Sequence, residues 1–247
     1  MHEQPSSEFL RTPTGVAIWN TLNYAQERAC LAAILGAGGI GKTFTVDAYA
    51  AENPKVHVIQ GTPRIRTAKQ LLEELERQVF TGTCTVSETE LFRVIRREPR
   101  SLLVIDEAQF LTDGGLELLR SLNDPGRGWN GKPNWSGGFM IGIALVGNPV
   151  VVSQREGKNR SLYSQLLTRF RPRLILGASL MEDYEVLFDH HNIAGAPSRK
   201  RIQAVADRKE GGLRTATFII ERAQEIAGDQ PVTLDHIEEA VTFLGYH

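Results

Sequence analysis

The sequence has few of the residues that mark a secreted, metal-binding or membrane protein. It holds two cysteines among 247 residues, Cys30 and Cys84, which lie too far apart for a metal-ligand pair and are expected to stay reduced. Its six histidines are scattered, which disfavours a histidine metal site. No apolar run reaches the roughly 18 residues that a membrane span needs, and the first residues show no secretion signal. We therefore expect a cytoplasmic protein that contacts no membrane.

Neither positive nor negative charge is in excess. The formal net charge is −1, which disfavours a general polyanion binder. The charges are unevenly placed, however: residues 151–173 hold six basic residues and one acid, whereas residues 215–247 hold one arginine and six acids. This asymmetry predicts one basic face and one acidic end.

Short apolar runs alternate with helical patterns over the first two thirds of the chain. The runs predict strands at 31–35, 56–60, 102–105, 141–146 and, more weakly, 174–177. Helix starts are predicted from side-chain caps at Thr67 with Gln70, Ser87 with Glu90, Ser179 with Glu182, and Thr233. Strands that alternate with helices predict a doubly wound, mostly parallel α/β sheet.

The pattern changes near residue 178, after which about four helical patterns and no strand pattern follow. We therefore expect an α/β domain at 1–178 and a small all-helical subdomain at 179–247. The loop 124–138 is rich in glycine, proline and asparagine, which predicts irregular structure. Three roles remain open for Trp129 and Trp135 in this loop: they could lie at a subunit interface, contact DNA or contact a partner protein.

The segment GAGGIGKT at 36–43 matches the phosphate-binding pattern G-x-x-x-x-G-K-[ST] between a predicted strand and a predicted helix. Glycines let backbone N–H groups turn toward phosphate oxygens at a helix N-terminus. We expect Lys42 to reach the β- and γ-phosphates of ATP and Thr43 to bind Mg²⁺. The predicted nucleotide contacts are Gly36, Gly38, Gly39, Ile40, Gly41, Lys42 and Thr43.

Two further strand ends carry polar side chains that suit nucleotide hydrolysis. In LLVIDEAQ, at 102–109, Asp106 is placed to hold the Mg²⁺ shell and Glu107 to orient or deprotonate the attacking water. In IALVGNP, at 143–149, Asn148 offers a carboxamide to the γ-phosphate or to the water. We therefore predict an ATPase.

Arginines after these strands are candidates for contacts with the phosphates. Arg169, Arg171 and Arg173 lie close together, and one of them, Arg169 in our prediction, would reach the γ-phosphate of a neighbouring subunit. A solvated basic helix end is an equally good interpretation for each of them. Arg214, in GGLRTA, is predicted to contact phosphate within its own subunit.

Five elements follow one another in the order found in the AAA+ ATPase family, which this sequence therefore resembles. They are the glycine-rich segment, the acidic strand end, the strand end with Asn148, the stretch of three arginines and GGLRTA. The helical tail resembles the lid of that family. Within that family, four segments are similar to the group of phage Mu transposition protein B and other target-selecting transposon ATPases. They are FLRTPTGVAIWNTLNYAQ, DEAQFL with VGNPVV, GKNRSLYSQLLTRF and GGLRTATFIIERA. Phage Mu transposition protein B also carries an N-terminal helix-turn-helix domain, and this chain begins too late for us to expect one.

The resemblance implies an ATP-dependent protein that binds duplex DNA with little sequence preference. Subunits with bound ATP and Mg²⁺ would assemble on the DNA as a helical filament or ring and deliver it to a transposase. Hydrolysis would then drive disassembly and give target immunity. A helicase- or clamp-loading ATPase, or a secretion or signalling ATPase that never touches DNA, shares the same motifs and remains an alternative.

The resemblance also implies where DNA would lie, at the loop after the second strand and near the helix that follows. Cationic side chains at those positions would neutralise phosphates and give a salt-dependent affinity. The predicted DNA contacts are Arg64, Arg66, Lys69, Arg93 and Arg97.

Overall fold

The structure is a computed structural model, and it describes residues 9–79, 99–123, 141–148, 169–208 and 211–246. Among the described residues, helices and strands alternate up to the fourth strand, and four helices follow the fifth strand. The elements are α1 (Pro13–Arg28), β1 (Leu31–Leu35), α2 (Lys42–Glu52), β2 (Val56–Gln60), α3 (Ala68–Val79), β3 (Leu102–Asp106), a 3₁₀ turn (Ala108–Phe110), α4 (Asp113–Asn123), β4 (Gly142–Gly147), β5 (Arg173–Ile175), α5 (Met181–His190), α6 (Ala196–Arg208), α7 (Gly212–Ala227) and α8 (Leu234–Phe243).

The five strands form one parallel sheet in the order β2-β3-β4-β1-β5. Every residue of β1, β3 and β4 is buried, as expected for apolar strands covered on both faces. This confirms the predicted α/β class with a parallel sheet. The sheet packs with α3 and α4 around leucines and isoleucines such as Leu71, Ile105 and Leu119.

Helix α1 is an element that our sequence analysis did not predict. Thr12 precedes Pro13, and the Thr12 hydroxyl accepts a hydrogen bond from the Gly15 backbone N–H at 3.0 Å. A threonine cap followed by proline at the first helical position is a helix-start signal, because proline has no N–H to leave unpaired. The signal was therefore present in the sequence.

Helices α5 to α8 enclose a second hydrophobic core, which includes Tyr184, Phe188, Ile202 and Ile220. The predicted caps at Thr67 and Thr233 are confirmed. The Gln70 N–H donates to Thr67 Oγ1 at 3.4 Å, and the His236 N–H donates to Thr233 Oγ1 at 3.4 Å.

The predicted cap at Ser179 with Glu182 is wrong. Helix α5 begins at Met181, and the residue that caps it is Asp183, whose Oδ2 accepts the Leu180 N–H at 3.0 Å. Asp183 is buried, whereas Glu182 is exposed, so the carboxylate that the helix start uses is the one that the fold encloses. Three strands also differ slightly from their predicted limits: β3 ends at Asp106 rather than at 105, β4 is Gly142–Gly147 rather than 141–146, and β5 is Arg173–Ile175 rather than 174–177.

Contacts divide the chain into two compact units. The helical unit holds the chain up to Ala17, Ala37–Thr45 and the chain from Leu176 onward, and the sheet unit holds Ile18–Gly36 and Val46–Ile175. The boundary that we predicted after residue 178 stays a prediction. In the part of the chain that the structure describes, no helix is long and apolar enough to cross a bilayer.

Candidate functional site

The carboxyl ends of the central strands lie at one edge of the sheet. Leu35 at the end of β1 pairs with Gly147 in β4, and Gln60 at the end of β2 pairs with Asp106 at the end of β3. The Gly36 N–H, just after β1, donates to the Gly147 carbonyl at 3.0 Å. In parallel α/β sheets, ligands bind at this edge. The sheet unit therefore brings Gly36, Asp106, Glu107 and Asn148 to the edge where we predicted chemistry.

The glycine-rich loop lies in the helical unit and turns sharply before α2 begins at Lys42. Gly39 and Gly41 have φ angles of +79° and +91°, which only glycine adopts readily. A Cβ added to Gly38 or to Gly41 would meet no atom within 4 Å, so space is open beside the loop. The Lys42 ammonium donates to the Ala37 carbonyl at 2.6 Å, which places the cation against the loop. Open backbone, a cation and a helix N-terminus fit an anionic phosphate chain, and the Thr43 hydroxyl is a suitable Mg²⁺ ligand.

The start of α7 contacts this loop through backbone atoms. The Arg214 N–H donates to the Gly39 carbonyl at 3.0 Å, while the Arg214 side chain is exposed. A Cβ on Gly39 would lie 1.9 Å from the Gly211 carbonyl oxygen, so glycine is required at this approach. The structure therefore brings Arg214 to the loop, as a role in phosphate contact requires.

The acidic pair ends β3 on an unusual backbone. Asp106 is 3% exposed, and its Oδ1 accepts the Glu107 N–H at 2.9 Å. Glu107 has φ +52°, in the left-handed region that costs a non-glycine residue about 1–3 kcal/mol and recurs at functional sites. The Gly61 N–H donates to the Asp106 carbonyl at 2.8 Å, and a Cβ on Gly61 would lie 2.7 Å from the Glu107 carbonyl oxygen. The turn that carries Glu107 is thus fixed by close backbone contacts.

Gln109 joins two of the predicted site residues, and our sequence analysis gave it no role. Its Nε2 donates to Glu107 Oε2, and its Oε1 accepts the Asn148 backbone N–H at 3.2 Å. The motif DEAQ contains this glutamine, but no local pattern indicates that its amide would meet Asn148. The structure thus connects Glu107 to the end of β4 through one side chain.

Asp47 is a second residue that sequence reasoning missed. It lies on α2, and the pKa of its carboxyl is raised by burial and then by the negative charge of Asp106. This effect places a further carboxylate in the electrostatic field of Asp106.

The three candidate arginines differ in what they touch. Arg169 is exposed, and its charge is one of the influences that lower the pKa of Glu117, after the hydrogen bond from Arg120. Arg171 is exposed, and Arg173 donates from Nε to the backbone carbonyl three residues before it, at 3.1 Å. The Arg173 guanidinium is therefore engaged within its own subunit.

The loop after β2 displays two of the predicted DNA contacts. Reciprocal backbone hydrogen bonds of 3.1 Å between Thr62 and Ile65 close a tight turn, and Arg64 and Arg66 are exposed on it. The Arg66 carbonyl accepts the backbone N–H of Thr112 at 2.9 Å and its hydroxyl at 3.1 Å. The turn is therefore held in place while its guanidinium groups face solvent.

Lys69 is also exposed, and its ammonium lies 3.8 Å from the Glu73 carboxylate, a weak surface pair. The other predicted DNA contacts, Arg93 and Arg97, lie outside the described residues. So do Trp129 and Trp135, the helix predicted from Ser87, and most of the segment GKNRSLYSQLLTRF.

Two sequence comparisons match this chain to known proteins. A profile of the family described as AAA domain matches residues 25–155, more than half of the chain. The DNA transposition protein B of the Mu-like prophage FluMu of Haemophilus influenzae is 24% identical over 214 residues, which cover 85% of this chain and 70% of that protein.

Solved structures share the fold. The ORC2 protein of Aeropyrum pernix, in its ADPNP–ADP complexes, superposes with a TM-score of 0.64 at 18% identity, over 96% of this chain and 70% of that one. A RuvB mutant of Thermotoga maritima superposes with a TM-score of 0.60 at 16% identity, over 96% of this chain and 72% of that one. These structures confirm the predicted α/β fold.

Proposed function

Since this chain belongs to the AAA+ ATPase family and is of the phage transposition protein B type, we propose that it is an ATP-dependent DNA-binding ATPase of transposition. In this proposal, subunits with bound ATP assemble on duplex DNA in the bacterial cytoplasm and deliver that DNA to a transposase. Hydrolysis releases the DNA and accounts for target immunity. The observation that carries the proposal is the similarity to transposition protein B over 85% of the chain.

The nucleotide part of the proposal rests on the glycine-rich loop and the acidic strand end. Gly36, Gly38, Gly39, Ile40 and Gly41 would present backbone N–H groups to the phosphates, and Lys42 would supply a positive charge. Thr43 and Asp106 would hold Mg²⁺, which when bound neutralises part of the phosphate charge. The open space beside Gly38 and Gly41 supports this assignment.

The catalytic part assigns roles to three side chains. Glu107 would orient or deprotonate the attacking water, and Asn148 would contact that water or the γ-phosphate. Arg169 would supply positive charge to the γ-phosphate of a neighbouring subunit. Arg214, a nucleotide-binding rather than a catalytic residue in this proposal, would contact phosphate within its own subunit. A site completed by a second subunit makes hydrolysis depend on assembly, which suits an assembly switch.

The DNA part rests on exposed cations held on a fixed turn. Arg64 and Arg66 would neutralise backbone phosphates, and Lys69, Arg93 and Arg97 would add to the same surface. Contacts with phosphates carry no sequence information, so this arrangement suits a protein that accepts many target sequences.

The test is negative-stain electron microscopy combined with ATPase assays, with and without duplex DNA. We expect filaments only when DNA is present together with ATP or a slowly hydrolysed analogue, and we expect DNA to stimulate hydrolysis. The Lys42→Ala variant is the control, since it should bind ATP poorly and form no filaments. Absence of both filaments and DNA stimulation at low salt would contradict the proposal and favour a remodelling ATPase that does not use DNA.

A further inference from the structure

The turn after β3 places the Gln109 side chain at the carboxyl ends of the strands. The Phe110 N–H donates to the Glu107 carbonyl at 3.1 Å, and the Leu111 N–H donates to the Ala108 carbonyl at 3.1 Å. Ala108 and Leu111 are fully buried, so their side chains anchor the turn in the hydrophobic core. Gln109 lies between them, half-buried at the strand edge.

The Gln109 amide makes two bonds of opposite kind. It donates from Nε2 to the Glu107 carboxylate, and it accepts at Oε1 from the Asn148 backbone N–H at 3.2 Å. Only a side chain with both a donor and an acceptor can do this, and a carboxamide of this length supplies both in one rigid group. Glutamate would keep the acceptor and lose the donor, and leucine would lose both.

We propose that Gln109 is a positioning residue for ATP hydrolysis, which orients the Glu107 carboxylate and ties it to the end of β4. This inference rests on the proposed role of Glu107 toward water. A glutamate side chain has several rotamers, and a general base works only when its oxygen is in hydrogen-bond reach of the proton that it takes. The amide selects one orientation and links it to Asn148, so a shift of the β4 end would move Glu107 as well.

The first experiment compares steady-state ATP hydrolysis by the full chain and by the Gln109→Leu and Gln109→Glu variants. We expect Gln109→Leu to lower kcat about tenfold, the loss that follows removal of one hydrogen bond to a charged group. KM for ATP should stay within about twofold, because the side chain contacts the base and not the bound phosphates. An unchanged kcat in both variants would overturn the proposal.

The Gln109→Glu variant separates the two bonds, since it retains an acceptor for the Asn148 N–H and places a carboxylate beside Glu107. Because a carboxylate at position 109 cannot donate a hydrogen bond to Glu107, kcat of Gln109→Glu should fall at least as far as kcat of Gln109→Leu, with KM for ATP again within about twofold. A purely structural role would lower the melting temperature together with kcat. This variant also carries the test if Gln109→Leu fails to fold, as its melting temperature will report.

A double-mutant cycle with Glu107→Gln identifies the residue through which Gln109 acts. If Gln109 acts through Glu107, adding Gln109→Leu to Glu107→Gln should lower the residual rate by less than twofold. A full tenfold loss in that background would overturn the proposal and leave the function of Glu107 intact. Wild-type turnover by Glu107→Gln alone would instead refute the proposed role of Glu107, so the two failures are distinguishable.

Discussion

Two carboxylates of this protein lie in contrasting environments, one in each compact unit. Asp183, in the helical unit, is fully buried and accepts three hydrogen bonds: from the Thr14 N–H at 2.8 Å, the Thr14 hydroxyl at 2.6 Å and the Leu180 N–H at 3.0 Å. It therefore caps the start of α1 and the start of α5 together. Glu107, in the sheet unit, is half-buried, has a left-handed backbone and is bonded by Gln109.

The difference separates a carboxylate that stabilises the fold from one that we propose to be reactive. The oxygens of Asp183 are enclosed and bonded to helix N-termini, where negative charge is favourable, so this group stabilises the fold. Glu107 has solvent access and a backbone conformation that other contacts must maintain, and both features suit a group that exchanges protons. Removing the first should change stability, and removing the second should change turnover.

The largest effect is expected for Glu107→Gln. The variant should lower kcat for ATP by about 100- to 10,000-fold, the usual contribution of general acid–base catalysis, because the amide cannot take a proton. Its melting temperature and its binding of an ATP analogue should be unchanged. Glu52→Gln, at the exposed end of α2, is the matched control and should hydrolyse ATP at the wild-type rate. A large loss of melting temperature in Glu107→Gln would show that Glu107, like Asp183, stabilises the fold.

Asp183→Ala should lower stability and leave turnover nearly unchanged, the reverse of the result expected for Glu107→Gln. It leaves three donors at two helix starts without their acceptor, and we expect a loss of about 3 kcal/mol in the free energy of unfolding. For a protein of this size that corresponds to roughly 6–12 °C in Tm. Denaturant unfolding and calorimetry measure both quantities, and kcat below the melting range should stay within about twofold of wild type.

Glu182→Ala is the matched control for that change. Glu182 is the exposed neighbour that the sequence pattern selects as the cap, and its removal should change stability by less than about 0.5 kcal/mol. Equal losses from the two variants would mean that burial does not decide which carboxylate caps α5.

This pair shows what the sequence could and could not predict. The strands, most of the helices and the glycine-rich loop depend on local signals such as apolar runs, capping residues and glycine spacing, so local patterns are enough to predict them. The choice of Asp183 over Glu182 depends on Thr14, which lies 169 positions away in the chain. No local pattern contains that information.

Gln109 was missed for the same reason. Its partner Glu107 is two positions away, but the Asn148 N–H that completes its bonds is 39 positions away. Parallel strands bring distant strand ends together, so the polar groups at the edge could be predicted, whereas the bonds between them could not. Helix α1 is different, because Thr12 and Pro13 were a local signal that was overlooked.

The arginines of the two units extend the same contrast to basic side chains. In the helical unit, Arg201 forms a bidentate pair with Glu238, at 2.8 Å for each bond. In the sheet unit, Arg64 and Arg66 are exposed on a turn. We expect the double variant Arg64→Ala with Arg66→Ala to bind duplex DNA roughly tenfold more weakly, from two surface charge contacts of about 0.7 kcal/mol each.

The salt dependence of binding tests this assignment more sharply than affinity does. The slope of log K against log salt concentration should become less steep by about 2 in the double variant, because two phosphate contacts are lost. Lys200→Ala, which removes an exposed cation from α6, should leave the slope unchanged. An unaltered slope in the double variant would move the DNA surface away from this turn.

The smallest expected effect concerns Tyr184, in the core of the helical unit beside Asp183. Its hydroxyl donates to Asp207 Oδ1 at 2.8 Å, and the pKa of this phenol is raised by burial and then by that hydrogen bond. Tyr184→Phe should lower the free energy of unfolding by about 1 kcal/mol at pH 8.

Because the raised pKa favours the neutral phenol in the folded state, the stability that Tyr184 contributes is present below about pH 10 and is lost as the pH rises above that value. The difference between wild type and variant should therefore vanish near pH 11, since one pH unit is worth about 1.4 kcal/mol. Urea unfolding at the two pH values measures it, with Tyr24→Phe on the exposed face of α1 as control, and a difference that persists at pH 11 would contradict the assignment.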